Sequence, residues 1–205
     1  QALLGPRPVA AAQAEGTTLV VALSASPVDI DPHGANEYRS ALTIRGAFEQ
    51  LIGLDGDATD AYEGLIAESW SANEDQSVWT FKLRPGVTFH DGSPVDAEAV
   101  RLSFERLLTL GLGPGFEMSR FIQEPGQISA PDAETVVFDL GRSQPLFEAG
   151  ISSQYGGQIV NARLMREREV DGDWGRADAQ LVADGLGSGP YRIVEFLPEE
   201  QVILE

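Results

Sequence analysis

One stretch, which begins at Trp79, constrains the fold most because each of its parts has a physical assignment. Apolar Trp79, Phe81 and Leu83 alternate with polar residues, and this alternation predicts a strand with one apolar face. Pro85-Gly86 predicts a turn, since proline presets the first turn dihedral and glycine accepts a positive φ. We therefore expect Val87–His90 to run back as the second strand of a hairpin.

The same stretch continues into a helix. The segment FHDGSP breaks the second strand, and Asp96 is placed to cap the helix that follows. The apolar stripe of this helix consists of Val100, Phe104, Leu107 and Leu108. We expect this stripe to pack inward.

Composition excludes several classes of protein. The chain is 42% hydrophobic and 22% charged, which is ordinary for a globular protein. A net charge of −18 makes nonspecific binding to nucleic acid or anionic lipid unfavourable. No window reaches the apolar length that a bilayer requires. The chain has no cysteine, which rules out disulfides, thiolate metal sites and a cysteine nucleophile.

Further strands and helices are predicted on both sides of this stretch. We expect a buried strand at Thr18–Leu23, a helix at Tyr38–Ile52, a loop at Gly111–Gly115, a strand at Thr135–Leu140, a helix from Asn161 to about Glu169, and paired strands at Tyr191–Phe196 and Gln201–Glu205. Because the apolar strand pattern runs to the last residue, we expect the chain to be a piece of a longer protein.

The order of strand, turn, FHDGSP loop and DAEAVRLSFERL helix resembles the solute-binding proteins of the peptide and nickel class that serve ABC importers. Two more segments resemble that family, Ile30–His33 (IDPH) and Gly187–Tyr191 (GSGPY). The resemblance implies an α/β, periplasmic-binding-protein-like (type II) two-lobe fold. This chain would hold the N-terminal part of the first lobe and the inserted second domain.

The resemblance also implies a division into domains. Residues 1–16 would be a tail or signal-peptide remnant, 17–45 the first segment of domain one, 46–185 the inserted domain two, and 186–205 the return to domain one. Ala12-Gln13-Ala14 has the small-x-small form of a signal-peptidase site, and a plain tail would look the same. The facing lobe would lie outside this chain.

The residues indicate no catalytic or metal site. His90 and Asp91 are adjacent in a predicted strand and would point to opposite faces, so Asp91 is expected to bond turn amides instead. His33 is the other histidine, and two distant histidines are a poor basis for a metal site. The glycines of Gly185–Gly189 lack the Lys-Ser/Thr of a nucleotide loop, and either a ligand or a simple connection would explain them. We expect no cofactor.

The resemblance places several loops where the family's ligand-facing loops lie. Aromatic side chains offer stiff apolar faces there, and Ser, Gln and Asn offer adjustable hydrogen bonds. We expect the ligand-binding residues to be His33, Asn36, Tyr38, Phe116, Ser153, Gln154, Tyr155 and Gly189. For each residue, ordinary loop packing is the alternative.

The implied function is that of an extracytoplasmic solute-binding component of an ABC importer, which is not an enzyme. It would capture peptides or similar solutes in the periplasm or at the outer face of the cytoplasmic membrane, and deliver them to membrane permease subunits. Nucleic acid is not an expected partner. The alternative is a hydrolase or a sensory module built on a binding-protein-like scaffold.

Overall fold

The computed structural model describes residues 19–21, 27–176, 185–198 and 200–205. Helices and strands alternate along the chain. In order, the elements are α1 (Tyr38–Ala47), β1 (Ile52–Leu54), β2 (Tyr62–Gly64), β3 (Ala67–Ala72), β4 (Val78–Leu83), α2 (Ala97–Leu110), α3 (Gly113–Met118), β5 (Ile128–Asp132), β6 (Thr135–Asp139), α4 (Phe147–Ser152), α5 (Ala162–Glu167), β7 (Ile193–Leu197) and β8 (Gln201–Leu204).

A four-stranded antiparallel sheet, in the order β3-β4-β6-β5, forms the centre of the larger hydrophobic cluster. Trp79, Phe81 and Leu83 on β4 are all buried, so the predicted strand and its apolar face are confirmed. On the neighbouring strand, Phe138 stands opposite Trp79 and Val136 stands opposite Phe81. These cross-strand apolar pairs hold the register of the sheet.

Helix α2 covers one face of this sheet, as its apolar stripe predicts. The Asp96 carboxylate accepts a hydrogen bond from the Ala99 amide at 2.8 Å, which confirms the predicted cap. Val100, Phe104 and Leu107 are buried, and the Phe104 ring lies 5.1 Å from the Phe138 ring. The helix therefore packs its stripe against the aromatic centre of the sheet.

A second hydrophobic cluster surrounds α1. Its buried members are Ile30, Ala35, Ile44, Ala47, Phe48, Val160, Ala162, Met165, Trp174, Leu186 and Ile193. The buried members of the first cluster all lie between Leu51 and Ile159. The packing changes near residue 50, close to the expected boundary at 45/46, and changes back near residue 160, well before the expected boundary at 185/186. The domain division itself stays a prediction.

The expected hairpin from Trp79 to His90 is wrong in its second half. Segment 87–90 makes one isolated bridge, between Thr88 and Pro94. Both edges of β4 are already paired, with β3 on one side and β6 on the other. Because no edge is free, the segment leaves the sheet and the His90 amide donates to the Gly187 carbonyl at 2.8 Å.

Helix α1 is shorter than the expected Tyr38–Ile52 helix. It ends at Ala47, and Phe48 is extended with φ −127°. The backbone carbonyls beyond the helix accept hydrogen bonds from distant segments. The Ile159 amide donates to the Glu49 carbonyl, and the Ala67 amide donates to the Leu51 carbonyl. Long-range hydrogen bonds therefore replace the helical ones, although the apolar spacing predicted burial correctly for Phe48 and Leu51.

The expected buried strand at Thr18–Leu23 is wrong where the structure describes it. Leu19, Val20 and Val21 are exposed and form no strand, and the rest of this run lies outside the described residues. No described strand pairs with these three residues, so nothing in the described ranges covers their side chains.

Smaller differences concern short elements. The expected loop at Gly111–Gly115 contains the start of α3, because Pro114 is tolerated in a first helical turn that needs no amide donor. The helix after Asn161 ends at Glu167, slightly earlier than expected. Strands β1, β2, β3 and β5 were not predicted. The paired strands near the end of the sequence are confirmed as β7 and β8.

Candidate functional site

Three loops that the sequence predicts to face ligand meet beside the N-terminal end of α1. The Tyr155 hydroxyl donates to the Asn36 carbonyl at 3.1 Å, which joins loop 153–158 to loop 31–36. Gly113, at the start of α3, lies against the same residue, since a Cβ placed on it would come within 2.7 Å of the Asn36 Cβ. The segments that carry most of the predicted ligand contacts therefore form one region.

This region presents aromatic and amide side chains at its surface. Tyr38 is 73% exposed and Phe116 is 61% exposed. Asn36 and Ser153 are exposed, and Gln154 and Tyr155 are partly exposed. The predicted combination of stiff apolar faces and flexible hydrogen-bonding groups is therefore exposed or partly exposed on these segments.

A buried ion pair fixes loop 31–36 from beneath. Arg106 of α2 is fully buried and donates to both carboxylate oxygens of Asp31, at 2.9 Å and 2.6 Å. Its Nε donates to the Trp174 carbonyl at 3.3 Å. Asp31 also accepts a hydrogen bond from the His33 amide at 2.9 Å. The bidentate geometry restrains both the position and the orientation of the loop.

A second arginine holds the same loop from outside. Arg176 donates to the Asp29 carboxylate at 2.7 Å and approaches the Asp31 carboxylate at 3.6 Å. A side chain on Gly34 would collide with the Arg176 guanidinium. Loop 31–36 is thus enclosed between two arginines, and a side chain at Gly34 would displace the Arg176 guanidinium.

His33 was expected to contact ligand, and its ring has no exposed surface. Its Nε2 lies 2.8 Å from the Gln158 carbonyl, which makes this nitrogen the protonated donor. The Gln158 amide in turn donates to the Gln154 carbonyl at 2.8 Å. In this structure His33 supports two of the converging loops from the interior.

Burial and the guanidinium of Arg106 shift the pKa values beneath the site. Burial raises the pKa of the Asp31 carboxyl, but the hydrogen bonds and charge of Arg106 outweigh it and lower the value to about 2. Burial and the same guanidinium lower the pKa of His33 to about 4, against an opposing effect of Asp31. Asp31 is therefore charged and His33 neutral near pH 7.

Gly189 lies apart from these loops, at the C-terminal end of α1. Its amide donates to the Ala47 carbonyl at 3.0 Å, and its carbonyl is 2.8 Å from Nε2 of His90. A Cβ on Gly189 would lie 2.6 Å from the Ala47 carbonyl carbon. Close packing against α1 accounts for this glycine, and ligand contact by Gly189 stays a prediction.

The predicted role of Asp91 in a turn is confirmed. Its carboxylate accepts from the Ser93 amide at 2.8 Å, which is an Asx-turn, and from the Asn161 side chain at 2.8 Å. Within the described ranges, no group of three or more His, Asp or Glu residues is arranged to hold a metal ion. Among the helices described, none has the length and apolar composition needed to cross a membrane.

Sequence reasoning missed Arg106 as the support of the site. Ala99, Ser103, Arg106 and Leu107 follow helical spacing and are all buried, so the arginine lies on the inward stripe of α2. A charge on such a stripe requires a buried partner of opposite sign. That signal was present in the sequence, whereas the identity of the partner, Asp31, was not.

Comparison with known proteins places this geometry in a family. The sequence profile described as bacterial extracellular solute-binding proteins, family 5 Middle, matches residues 61–205. The chain is 34% identical over 201 residues to the probable D,D-dipeptide-binding periplasmic protein DdpA of Escherichia coli, covering 96% of this chain and 37% of the relative. It is 33% identical over 188 residues to the glutathione-binding protein GsiB of Pectobacterium atrosepticum, covering 91% of this chain and 34% of that protein. The chain thus spans about a third of the length of these relatives.

Solved structures agree with the expected fold class. The binding protein MoaA of A. tumefaciens, in complex with mannopinic acid, is similar with a TM-score of 0.71 at 29% identity, covering 85% of this chain and 34% of that one. OppA of Haemophilus influenzae, in complex with RPPGFSPFR, has the same fold with a TM-score of 0.73 at 20% identity, covering 88% of this chain and 36% of that one. The α/β, periplasmic-binding-protein-like (type II) fold is confirmed. The chain belongs to the bacterial extracellular solute-binding proteins of family 5.

Proposed function

We propose that this chain forms one wall of the solute site in the extracytoplasmic binding protein of an ABC importer. The complete protein captures a peptide or similar solute, and delivers it to permease subunits in the membrane. Family membership supports the class of protein. The observation that carries the site is the meeting of loop 31–36, α3 and loop 153–158 beside α1.

The exposed side chains of this region suit a peptide-sized solute. Tyr38 and Phe116 provide apolar surface, and Asn36, Ser153 and Gln154 provide donors and acceptors for amide groups. Tyr155 contributes its ring while its hydroxyl donates to the Asn36 carbonyl. We propose these residues as direct contacts and His33 as the group that holds them in place.

The names of the relatives support the same class of solute. One is named for binding D,D-dipeptides and another for binding glutathione, which is itself a tripeptide. Since both are substantially longer than this chain, solute identity for the complete protein is part of the proposal. The same applies to its location, for which we propose the periplasm or the outer face of the cytoplasmic membrane.

The binding proposal is tested by titration calorimetry on the complete product of the gene, with short peptides and glutathione as solutes. Tyr38→Ala and Phe116→Ala are each expected to weaken binding by about tenfold, since each removes a large apolar contact. Leu146→Ala is the matched control, because Leu146 is 68% exposed and lies outside the proposed site. The proposal would be overturned if the complete protein bound none of these solutes. It would also be overturned if both aromatic variants bound them with unchanged affinity.

Delivery is tested separately, by uptake of the bound solute in source cells that lack the gene. Loss of uptake, restored by the wild-type gene and, at limiting solute concentration, only in part by the Phe116→Ala variant, is the expected result. Retained uptake would contradict the transport role.

The alternative, a hydrolase or a sensory module on the same scaffold, has its own readout. The proposed function predicts that bound peptides are recovered intact, as mass spectrometry can show. Sustained hydrolysis that disappears on replacing His90 or Ser188 would favour the hydrolase. A helix-turn-helix or membrane segment elsewhere in the gene product would favour the sensory module.

A further inference from the structure

Arg45 differs from every other cationic side chain that the structure describes. Within the described ranges, it is the one arginine or lysine whose side chain has neither a hydrogen-bond nor an ion-pair partner. The sequence contains 32 acidic and 14 basic residues, so partners of opposite charge are in excess. An unpaired arginine in such a chain is unexpected on charge balance alone.

Arg45 ends an exposed stripe along α1. Tyr38, Leu42 and Arg45 follow the spacing that places residues on one face of a helix. Tyr38 and Leu42 belong to the large apolar side chains that stay exposed, although α1 also buries Ala41 and Ile44 on its other side. The helix therefore presents an apolar surface and, about 10 Å further along its axis, a cation.

A cleft lies beside this stripe. It is a narrow crevice with an accessible volume of about 10 Å³, lined by Ala41, Ile44 and Arg45 of α1 and by Gln154 and Tyr155 of the neighbouring loop. Arg45 is thus adjacent to two of the residues proposed to contact solute. The guanidinium belongs to the same face as the candidate site.

The acidic residue that lines this crevice, Glu37, does not neutralise Arg45. Its carboxylate accepts from the Val28 amide at 3.1 Å, from Arg39 Nε at 3.0 Å and from the Ser40 hydroxyl at 3.1 Å. These bonds occupy Glu37 at the opposite end of α1. The planar donors of Arg45 remain free for a carboxylate from another molecule.

We propose that Arg45 binds the free carboxylate of the solute, while Tyr38 and Leu42 contact its apolar part. The substrate class is then a short peptide, or a molecule of similar size, with an unblocked carboxylate. This inference rests on the proposed function and adds to it the chemical group that the site selects. Arginine suits this role because its fork of donors matches a carboxylate bidentately.

The test compares acids with amides on the complete product of the gene. The probes are the tripeptide alanyl-phenylalanyl-alanine and the dipeptide D-alanyl-D-alanine, each as the free acid and as the C-terminal amide. Wild-type protein is expected to bind the acid of at least one pair about tenfold or more tighter than the amide. Arg45→Gln should remove this preference by weakening the acid alone, and Arg45→Lys should restore part of it.

Arg142→Gln is the control, because Arg142 is an exposed arginine that donates to the Arg120 carbonyl, away from the cleft. It should leave the preference unchanged. Equal affinity of wild type for acid and amide would overturn the inference, and so would an Arg45→Gln variant that weakens both alike. In those cases the peptides still bind and the proposed function stands. If neither form of either peptide binds, the proposed function fails, and the inference fails with it.

Discussion

Arg106 carries a charge into the interior of the protein, and Asp31 makes that charge tolerable. The guanidinium is fully buried and bonded to both carboxylate oxygens. A pair of this kind adds little net stability compared with apolar residues, but removing one partner leaves an uncompensated buried charge. Its main consequence here is positional, since it fixes the loop that carries Asn36 and leads into α1.

Arg106→Met is therefore expected to cost about 3–5 kcal/mol in the free energy of unfolding, measured by urea denaturation. The double variant with Asp31→Ala should recover part of this loss, because it removes the buried carboxylate that has lost its bidentate partner and keeps Arg176 at 3.6 Å. Arg101→Met is the control on the same helix, where the partly exposed pair with Glu98 should contribute less than about 1 kcal/mol. A loss below about 1 kcal/mol for Arg106→Met would contradict the role of the pair.

His33 makes the stability of the protein depend on pH in a defined window. Burial and Arg106 depress the pKa of His33 from 6.5 to about 4, so the unfolded chain takes up a proton at higher pH than the folded chain. The stabilising difference is complete above pH 6.5 and is lost as the pH falls towards 4. The His33→Gln variant lacks this titration and keeps an amide donor for the Gln158 carbonyl.

Between pH 7 and pH 4, wild type should lose about 3 kcal/mol more unfolding free energy than His33→Gln. Denaturant titrations at a series of pH values measure the difference. Parallel curves for the two proteins over this window would show that His33 is not the buried neutral group described here.

Phe81 tests the assignment of the core face of β4. It is fully buried between neighbouring strands, so Phe81→Ala should cost about 3–5 kcal/mol. Phe116→Ala provides the comparison, since Phe116 is exposed and should change stability by less than about 1 kcal/mol. Similar losses for both variants in urea denaturation would mean that the buried and exposed faces have been misassigned.

At the level of elements, the sequence predicted the helices and strands whose apolar residues recur with a clear period. The alternation at Trp79, Phe81 and Leu83 and the helical stripe of α2 each have one structural solution, and both were confirmed. The prediction of a return strand after Gly86 was wrong because distant segments decide which strands pair. In this sheet β3 and β6 occupy both edges of β4. The predicted end of α1 was wrong for the same reason, since hydrogen bonds to remote segments decide where the helix ends.

The candidate site was predictable to a similar degree. The loops that carry Asn36 and Tyr155 were identified by resemblance, and their contact was not predictable because it joins residues far apart in sequence. The burial of His33 and the pairing of Arg106 depend on which charges meet in three dimensions. Period and composition show where a helix faces inward, but they do not show which partner a charged residue finds there.

The cap of α2 is a local element that can be tested alone. The Asp96 carboxylate accepts from the Ala99 amide at 2.8 Å and pairs with Arg163 at 2.6 Å. Asp96→Ala removes both interactions and should cost about 1 kcal/mol or slightly more. Asp96→Asn keeps a capping oxygen and loses the charge, so it should cost less than about 0.5 kcal/mol. Equal losses in thermal or urea unfolding would assign the stabilisation to the ion pair instead of the cap.

On the scale of the whole molecule, the proposed site is one exposed face. Its aromatic and amide side chains are exposed or partly exposed, and the chain covers about a third of the length of its relatives. A solute on a single face keeps much of its surface in water, yet it still loses its translational and rotational freedom. We therefore propose that a facing lobe of the complete protein supplies the opposite wall, and that closure around the solute provides most of the affinity.

Titration calorimetry of one peptide against two proteins, the complete product of the gene and this 205-residue chain, tests that claim most directly. The complete product is expected to bind the peptide. The 205-residue chain, shown by circular dichroism to be folded, is expected to bind it at least about a hundredfold more weakly, a difference of roughly 2.7 kcal/mol. Equal affinities would place the whole site within this chain and contradict the two-lobe account, and so would a complete product that binds no peptide.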